Sequence, residues 1–120
     1  MGRLNRQLDA YNANPSSMAA AIDNLLTMSD EKKKVLILGD MFELGNYTAE
    51  EHQRIVDKLK NYEWEGVYLV GSNFAKTQSP YPQYETFEAF KEVFPTLSFN
   101  NCLLLIKGSR GMALERLLSL

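Results

Sequence analysis

The sequence lacks most features that mark metal-binding, disulfide-bonded or membrane proteins. Cys102 is the only cysteine among 120 residues, so no internal disulfide can form and a buried thiol in a reducing compartment is expected. Cysteine and histidine nowhere stand at metal-ligand spacing, and no metal site is expected. The chain shows no apolar run long enough to span a bilayer and no secretory signal, so a cytoplasmic domain is expected.

Charge and missing motifs exclude further classes of protein. The formal net charge is −2, so no basic surface is indicated and nucleic acid is not an expected partner. The patterns GxxxxGK[ST], GxGxxG and GxSxG do not occur. No nucleophile stands beside a base, and no catalytic residue is assigned. The sequence therefore indicates one domain, residues 1–120, with a binding role rather than self-sufficient catalysis.

Three short apolar runs stand out in what the sequence does contain. They are VLIL (35–38), VYLV (67–70) and LLLI (103–106). Each run lacks polar alternation and is followed at once or one residue later by glycine, which is typical of strands buried on both faces of a parallel sheet.

Helical patterns alternate with these runs. They cover residues 14–26, 48–62, 86–94 and 110–118. Asn14 and Thr86 are predicted N-caps, and Thr48 with Glu51 is predicted to form a capping box. The stretch 72–82 is predicted to be the one long loop.

Strands alternating with helices predict an α/β fold, a three-layer and mainly parallel sheet flanked by helices. Right-handed crossovers place the strand-to-helix loops at one edge, where open α/β sheets bind ligands. Four segments are expected to meet there: 9–14, 39–45, 71–73 and 107–111.

The KGSRG segment is the most informative part of that edge. Lys107 ends a predicted strand, Gly108 permits a tight turn, and Ser109 and Arg110 are expected to open a helix. A helix N-terminus favours anions, and the Arg110 guanidinium can grip a carboxylate or phosphate in bidentate fashion. The edge is therefore predicted to bind an anionic ligand.

Three motifs carry a resemblance that covers nearly the whole chain. DAYNANP (9–15), LGDMFELG (38–45) and KGSRGM (107–112) together resemble the C-terminal domain of the Mur ligase family, in the branch that adds D-alanyl-D-alanine to UDP-N-acetylmuramoyl-tripeptide for peptidoglycan synthesis. The resemblance implies a Rossmann-like domain of an ATP-dependent, ADP-forming amide ligase that proceeds through an acyl phosphate.

The resemblance also implies which ligands this chain meets. D-alanyl-D-alanine and ATP are expected to contact this domain, and the UDP-sugar, the phosphate loop and most magnesium contacts belong to two further domains that the chain does not include. The isolated domain is accordingly expected to be inactive, and a monomer is expected.

Site residues follow from the resemblance and the sheet edge together. The expected nucleotide contacts are Asp9 (to the ribose), Tyr11, Asn12 and Asn14. The expected dipeptide contacts are Lys107, Ser109 and Arg110, near the dipeptide carboxylate, with Asp40 and Glu43 lining the same cleft. The family has an apolar strand before the first motif, whereas only Gln7 and Leu8 stand there after a polar GRLNR stretch, so this strand is expected to be shortened or missing.

Structural interpretations remain open for these residues. Asn14 caps a helix with or without a ligand, and Asp9 could brace a turn. Asp40 and Glu43 could be ordinary acidic loop residues, and Lys107 and Arg110 could form surface ion pairs. His52 lies on an apolar helical stripe and is predicted to be a packed, hydrogen-bonded core histidine.

Two competing functions are kept open. A phosphoacceptor receiver domain has similar length and architecture, with Asp40 as the phosphorylated residue and Asp9 and Lys107 beside it. A binding or scaffold domain without a small-molecule ligand is the other, and in that case the 107–111 loop has no ligand to bind.

Overall fold

The computed structural model describes the backbone of residues 4–9, together with residues 13–28 and 33–119. The strands are β1 (Leu4–Asp9), β2 (Lys33–Gly39), β3 (Gly66–Val70), β4 (Gln83–Tyr84) and β5 (Cys102–Lys107). The α-helices are α1 (Pro15–Thr27), α2 (Thr48–Leu59), α3 (Ser72–Ala75) and α4 (Phe87–Val93). Short 3-10 segments cover Gly45–Tyr47, Phe94–Thr96, Arg110–Met112 and Leu114–Ser119.

The five strands form one sheet in the order β1-β5-β2-β3-β4. Every neighbouring pair is parallel, which confirms the predicted α/β class. The three apolar runs form β2, β3 and β5, as predicted. The predicted long loop is partly wrong, because its first four residues form α3; β4, which comes directly after it, was not predicted.

Side chains of the central strands alternate between two cores, one on each face of the sheet. Leu36 and Leu38 of β2 pack with α1 and α2, whereas Val35 and Ile37 face α4 and the C-terminal segment. All four are at most 1% exposed. Burial on both faces explains why these runs carry no polar alternation, and it confirms the three-layer arrangement.

Two helix starts agree with the predicted caps. The Asn14 side-chain oxygen accepts from the Ser17 amide at 2.9 Å, and the Asn14 amide donates to the Ser17 hydroxyl at 3.0 Å. Pro15 takes the first helical position, where its missing N–H has no consequence. In α4, the Thr86 hydroxyl accepts from the Ala89 amide at 3.1 Å.

The predicted capping box of α2 is wrong. The 3-10 turn Gly45–Tyr47 runs directly into the helix, so Thr48 already has helical dihedral angles. Its hydroxyl donates to the Gly45 carbonyl at 2.8 Å and does not cap an amide. Glu51 pairs with Arg54 at 3.3 Å. Thr48 and Glu51 are residue types typical of a capping box, but the preceding turn makes Thr48 the first helical residue instead of the cap.

The expectation that the first strand is shortened or missing is also wrong. β1 has six residues and pairs with β5 along its full length, from Leu4 opposite Cys102 to Asp9 opposite Lys107. An edge strand pairs through backbone groups on one side only, so it tolerates polar residues such as Asn5 and Arg6. The apolar signal used for the central strands therefore fails at the edge.

The predicted helix 110–118 is not an α-helix. It consists of two 3-10 segments separated at Ala113, which adopts the left-handed conformation with φ +50°. Leu114 and Leu117 are buried, whereas Leu118 is 37% exposed. The left-handed residue breaks the i to i−4 hydrogen-bond ladder that an α-helix would need.

Across the part of the chain that the structure describes, no helix has the length and apolar character needed to cross a membrane.

Candidate ligand-binding cleft at the carboxyl edge

The carboxyl ends of three strands lie at one level of the sheet. Lys107 of β5 stands between Asp9 of β1 and Leu38 of β2 in the register. The loops that leave these strands therefore start side by side, at the edge where open α/β sheets bind ligands.

Three consecutive backbone amides after β2 are each held by a different element. The Asp40 amide donates to the Val70 carbonyl at 3.1 Å. The Met41 amide donates to Nε2 of His52 at 3.0 Å, and the Phe42 amide donates to the Ser109 hydroxyl at 2.8 Å. The path of this loop is thus set by β3, α2 and the segment after β5 together.

Ser109 connects the loops to one another. Its amide donates to the Asp40 carbonyl at 2.9 Å, and its hydroxyl donates to the Ala13 carbonyl at 3.3 Å while accepting from Phe42. The residue is 3% exposed. Of the four segments expected to meet, the structure therefore joins the described parts of 9–14, 39–45 and 107–111 through one side chain.

Asp40 brings in the fourth segment. Its carboxylate is buried and accepts from the amides of Asn73 and Phe74, each at 2.9 Å, which caps the short helix α3. A Cβ at Gly71 would lie 2.3 Å from this carboxylate, and Gly71 has φ +126°. These contacts give Asp40 a structural role, and its contact with a ligand stays a prediction.

A cleft of about 590 Å³ opens above these loops. Its lining consists of Ala13, Asn14, Phe42, Glu43, Leu44, Ser109, Arg110 and Gly111. Glu43 and Arg110 are both exposed, so the cleft carries one acidic and one basic side chain. Phe42 is 41% exposed and adds an aromatic surface. The cleft thus offers opposite charges and an apolar wall.

A smaller cleft of about 280 Å³ shares Phe42 and Gly111 with the first. A Cβ at Gly111 would lie 2.8 Å from the Phe42 ring, so these two residues form a tightly packed partition. On the far side, the Arg116 guanidinium lies 3.7 Å from the centroid of the Phe87 ring. Arg116 also donates to the carbonyls of Met112 and Ala113, which fixes the turn that follows Arg110.

The structure changes the interpretation of the KGSR segment. Lys107 is 1% exposed, so the surface ion-pair interpretation is wrong for this residue. The expected helix start at Ser109 and Arg110 is a three-residue 3-10 turn, so the helix-dipole argument for an anion site is wrong as well. Arg110 is exposed, and its binding of an anion stays a prediction.

The predicted nucleotide residues are only partly described. Tyr11 and Asn12 lie outside the described residues, as does the side chain of Asp9. Asn14 lines the larger cleft and caps α1 at once, so its structural role is confirmed and its ligand role stays a prediction.

The sequence analysis missed Phe42, which lines the cleft, and the bond between His52 and the loop that carries Phe42. Phe42 was passed over because an aromatic residue in a loop carries no periodic signal. His52 was correctly predicted as a core histidine, being fully buried, but its bond to the Met41 amide was not foreseen. The sequence signal that could have indicated this bond is a lone histidine on the apolar stripe of the helix that follows the loop.

Within residues 13–28 and 33–119, no three His, Cys, Asp or Glu side chains are grouped so as to hold a metal ion.

The structure is an α/β domain with a cleft at the carboxyl edge of a parallel sheet. The family model described as the Mur ligase, glutamate ligase domain matches residues 3–110. The chain belongs to the Mur ligase family, as its C-terminal domain.

Individual relatives agree with this assignment. A UDP-N-acetylmuramoyl-tripeptide–D-alanyl-D-alanine ligase of Treponema pallidum is 36% identical over 92% of this chain, and the Bacillus subtilis ligase of that name is 31% identical over 91%. The chain spans 26% of the length of each of these relatives.

Solved structures give the same result. The MurF ligase of Thermotoga maritima, solved in complex with ADP, superposes with a TM-score of 0.75 and 26% identity, covering 95% of this chain and 27% of that one. MurF from Acinetobacter baumannii gives a TM-score of 0.74 and 29% identity, with 91% of this chain and 25% of that one covered.

The receiver-domain hypothesis is not supported. The chain belongs to another family, and its strand order differs from the 2-1-3-4-5 order of flavodoxin-like domains. Asp40, the residue that would accept the phosphoryl group, is 2% exposed and has both carboxylate oxygens bonded to backbone amides.

Proposed function

We propose that this chain is the domain of an ATP-dependent amide ligase that binds D-alanyl-D-alanine and closes over the nucleotide. The full reaction adds the dipeptide to UDP-N-acetylmuramoyl-tripeptide in the cytoplasm, as a step of peptidoglycan precursor synthesis. The observation that carries the proposal is the cleft at the carboxyl edge, where Arg110 and Glu43 present opposite charges beside an apolar wall.

The chemistry of the cleft suits a small zwitterionic dipeptide. Arg110 can hold the dipeptide carboxylate through two parallel hydrogen bonds, and Glu43 offers a negative group for the amine end. Phe42 and Leu44 supply apolar surface for methyl groups. In this proposal Ser109 and Asp40 act mainly by holding the loops in place, and Lys107 supplies positive charge beneath them at the end of β5.

The nucleotide is proposed to meet the segment that enters α1. Asp9, Tyr11, Asn12 and Asn14 are the residues assigned to it. Support comes from the position of Asn14 on the same cleft and from the related MurF ligase solved with ADP. Magnesium and the phosphate-transfer chemistry are assigned to the rest of the ligase, so this domain contributes binding and orientation, which are themselves large terms in catalysis.

Titration of the isotope-labelled chain with D-alanyl-D-alanine, followed by NMR, tests the dipeptide assignment. Amide shifts are expected at residues 13–14, 42–44 and 109–111, and L-alanyl-L-alanine should bind more weakly. Arg110→Ala should weaken binding about tenfold or more, because a charge-assisted bond contributes about 1.5–3 kcal/mol. Arg54→Ala is the matched control, since Arg54 is exposed on α2 and pairs only with Glu51 among the ion pairs of the described residues.

Shifts elsewhere on the sheet, or equal weakening by Arg110→Ala and Arg54→Ala, would contradict the assignment. The same two variants in a longer ligase that carries this domain give a second measurement. There, Arg110→Ala should raise the KM for the dipeptide, whereas Arg54→Ala should leave it unchanged. An unchanged KM in both would favour the scaffold interpretation of the 107–111 loop.

A further inference from the structure

A buried histidine outside the cleft is bonded to the loop that forms its wall. His52 of α2 is fully buried, and its ring stacks edge-on against Phe74 with 4.7 Å between ring centroids. Nε2 accepts from the Met41 amide at 3.0 Å, and Nδ1 lies 2.6 Å from the Thr48 carbonyl. Both ring nitrogens are therefore engaged.

These contacts fix the protonation pattern of the ring. A backbone amide can only donate, so Nε2 must be the unprotonated nitrogen, and the proton on Nδ1 is donated to the Thr48 carbonyl. The ring is then neutral, and the 3.9 Å separation between Nε2 and the Asp40 carboxylate is not a charged pair. The imidazole serves as a rigid acceptor for one backbone amide.

The Met41 amide lies between two residues that matter for the edge of the sheet. Met41 stands between Asp40, whose carboxylate caps α3, and Phe42, whose ring lines the larger cleft. The Met41 side chain is fully buried, so its amide has no water to replace a lost acceptor. Loss of Nε2 would leave this donor unsatisfied and favour another path for the loop.

We infer that His52 is a positioning residue for the cleft: its Nε2 holds the 40–44 loop in the conformation that presents Phe42 and Glu43. This inference rests on the proposed function for the identity of the ligand, but the effect on the loop can be measured without one. The residue acts through Met41 and does not touch the cleft itself.

Two substitutions separate the acceptor from the rest of the ring. The amide oxygen of His52→Gln can reach the Met41 amide, so this variant retains the acceptor. In His52→Asn the shorter amide can still donate to the Thr48 carbonyl but leaves Met41 unpaired. Val56→Ala is the matched control, because Val56 is equally buried on the same helix and the substitution removes packing without removing a hydrogen-bond acceptor.

The experiment is native-state hydrogen exchange and NMR on the 120-residue chain. In the unsubstituted chain, the ring ¹⁵N shifts should show a protonated Nδ1 and an unprotonated Nε2. His52→Asn should lower the protection of the Met41 and Phe42 amides about tenfold beyond any global loss, and His52→Gln should restore most of it. D-alanyl-D-alanine affinity should follow the same order, with Val56→Ala close to the unsubstituted chain.

Equal protection in the Gln and Asn variants would overturn the inference, as would a protonated Nε2 or a Val56→Ala effect confined to the same two amides. If the unsubstituted chain binds no dipeptide, the proposed function of the isolated chain fails, and the exchange and ring measurements still decide the role of His52. A loop that changes as expected without any change in measured affinity would overturn the link between His52 and the cleft.

Discussion

Single atoms decide whether the loop after β2 can pack against the start of α3. At Gly71 the backbone has φ +126°, and an added Cβ would lie 2.3 Å from the buried Asp40 carboxylate. Neither problem can be relieved cheaply, because the carboxylate is held by two backbone amides. The glycine is required here by both conformation and space.

Gly71→Ala should therefore lower the free energy of unfolding by about 3 kcal/mol or more, the sum of backbone strain and a clash in a packed interior. Gly45→Ala is the natural comparison. Gly45 also has a positive φ, of +58°, but nothing lies within 4 Å of an added Cβ, so about 1 kcal/mol is expected. Urea denaturation measures both values, and equal losses would mean that the Asp40 contact contributes nothing.

Residue types near the cleft could be predicted from the sequence, but their partners could not. The described polar residues after β2, β3 and β5 were correctly placed at one edge by the topology alone. The bonds of Ser109 to Ala13 and Phe42 join residues 96 and 67 positions apart, and no local pattern encodes such contacts. The same holds for the Asp40 carboxylate. The sequence predicts that it contacts a ligand, whereas in the structure it caps α3.

At the scale of elements, the local signals succeeded where the element starts independently of its neighbours. Asn14 and Thr86 cap their helices as predicted, because each has extended backbone and the helix begins at the next residue. The capping box at Thr48 failed because a 3-10 turn precedes it, and β1 was missed because an edge strand needs no apolar run. Tertiary context, rather than propensity, decided both of these cases.

The two confirmed caps make a paired prediction about stability. Asn14→Ala and Thr86→Ala should each lower the free energy of unfolding by about 1 kcal/mol, since each leaves one helix-end amide without its partner. Asn14→Ser should recover most of the loss, because serine is also a good N-cap. The measurement is urea denaturation followed by circular dichroism. A full loss in the Ser variant would show that Asn14 acts through something other than its cap.

At the scale of the whole molecule, two cores share one sheet. β2 and β5 contribute alternate side chains to both faces, so neither core can open without disturbing the other. A domain built in this way is expected to unfold in one cooperative transition. Cys102, the first residue of β5, is 2% exposed and offers a chemical probe of that transition.

Burial raises the pKa of the Cys102 thiol, and the negative charge of Glu65 adds to this rise while Lys33 opposes it. At neutral pH the native chain should therefore react with iodoacetamide at least tenfold more slowly than the chain in urea, and the urea midpoint for labelling should match that from circular dichroism. Because the folded-state pKa is raised, the stability linked to this thiol is present below the ordinary thiol pKa and is lost as the pH rises toward the raised value.

Cys102→Ala combined with Ser98→Cys supplies an exposed control thiol, which should react at the same rate with and without urea. Fast labelling of native Cys102, or a labelling midpoint well below the circular dichroism midpoint, would show that β5 opens locally and that the two cores do not unfold as one unit.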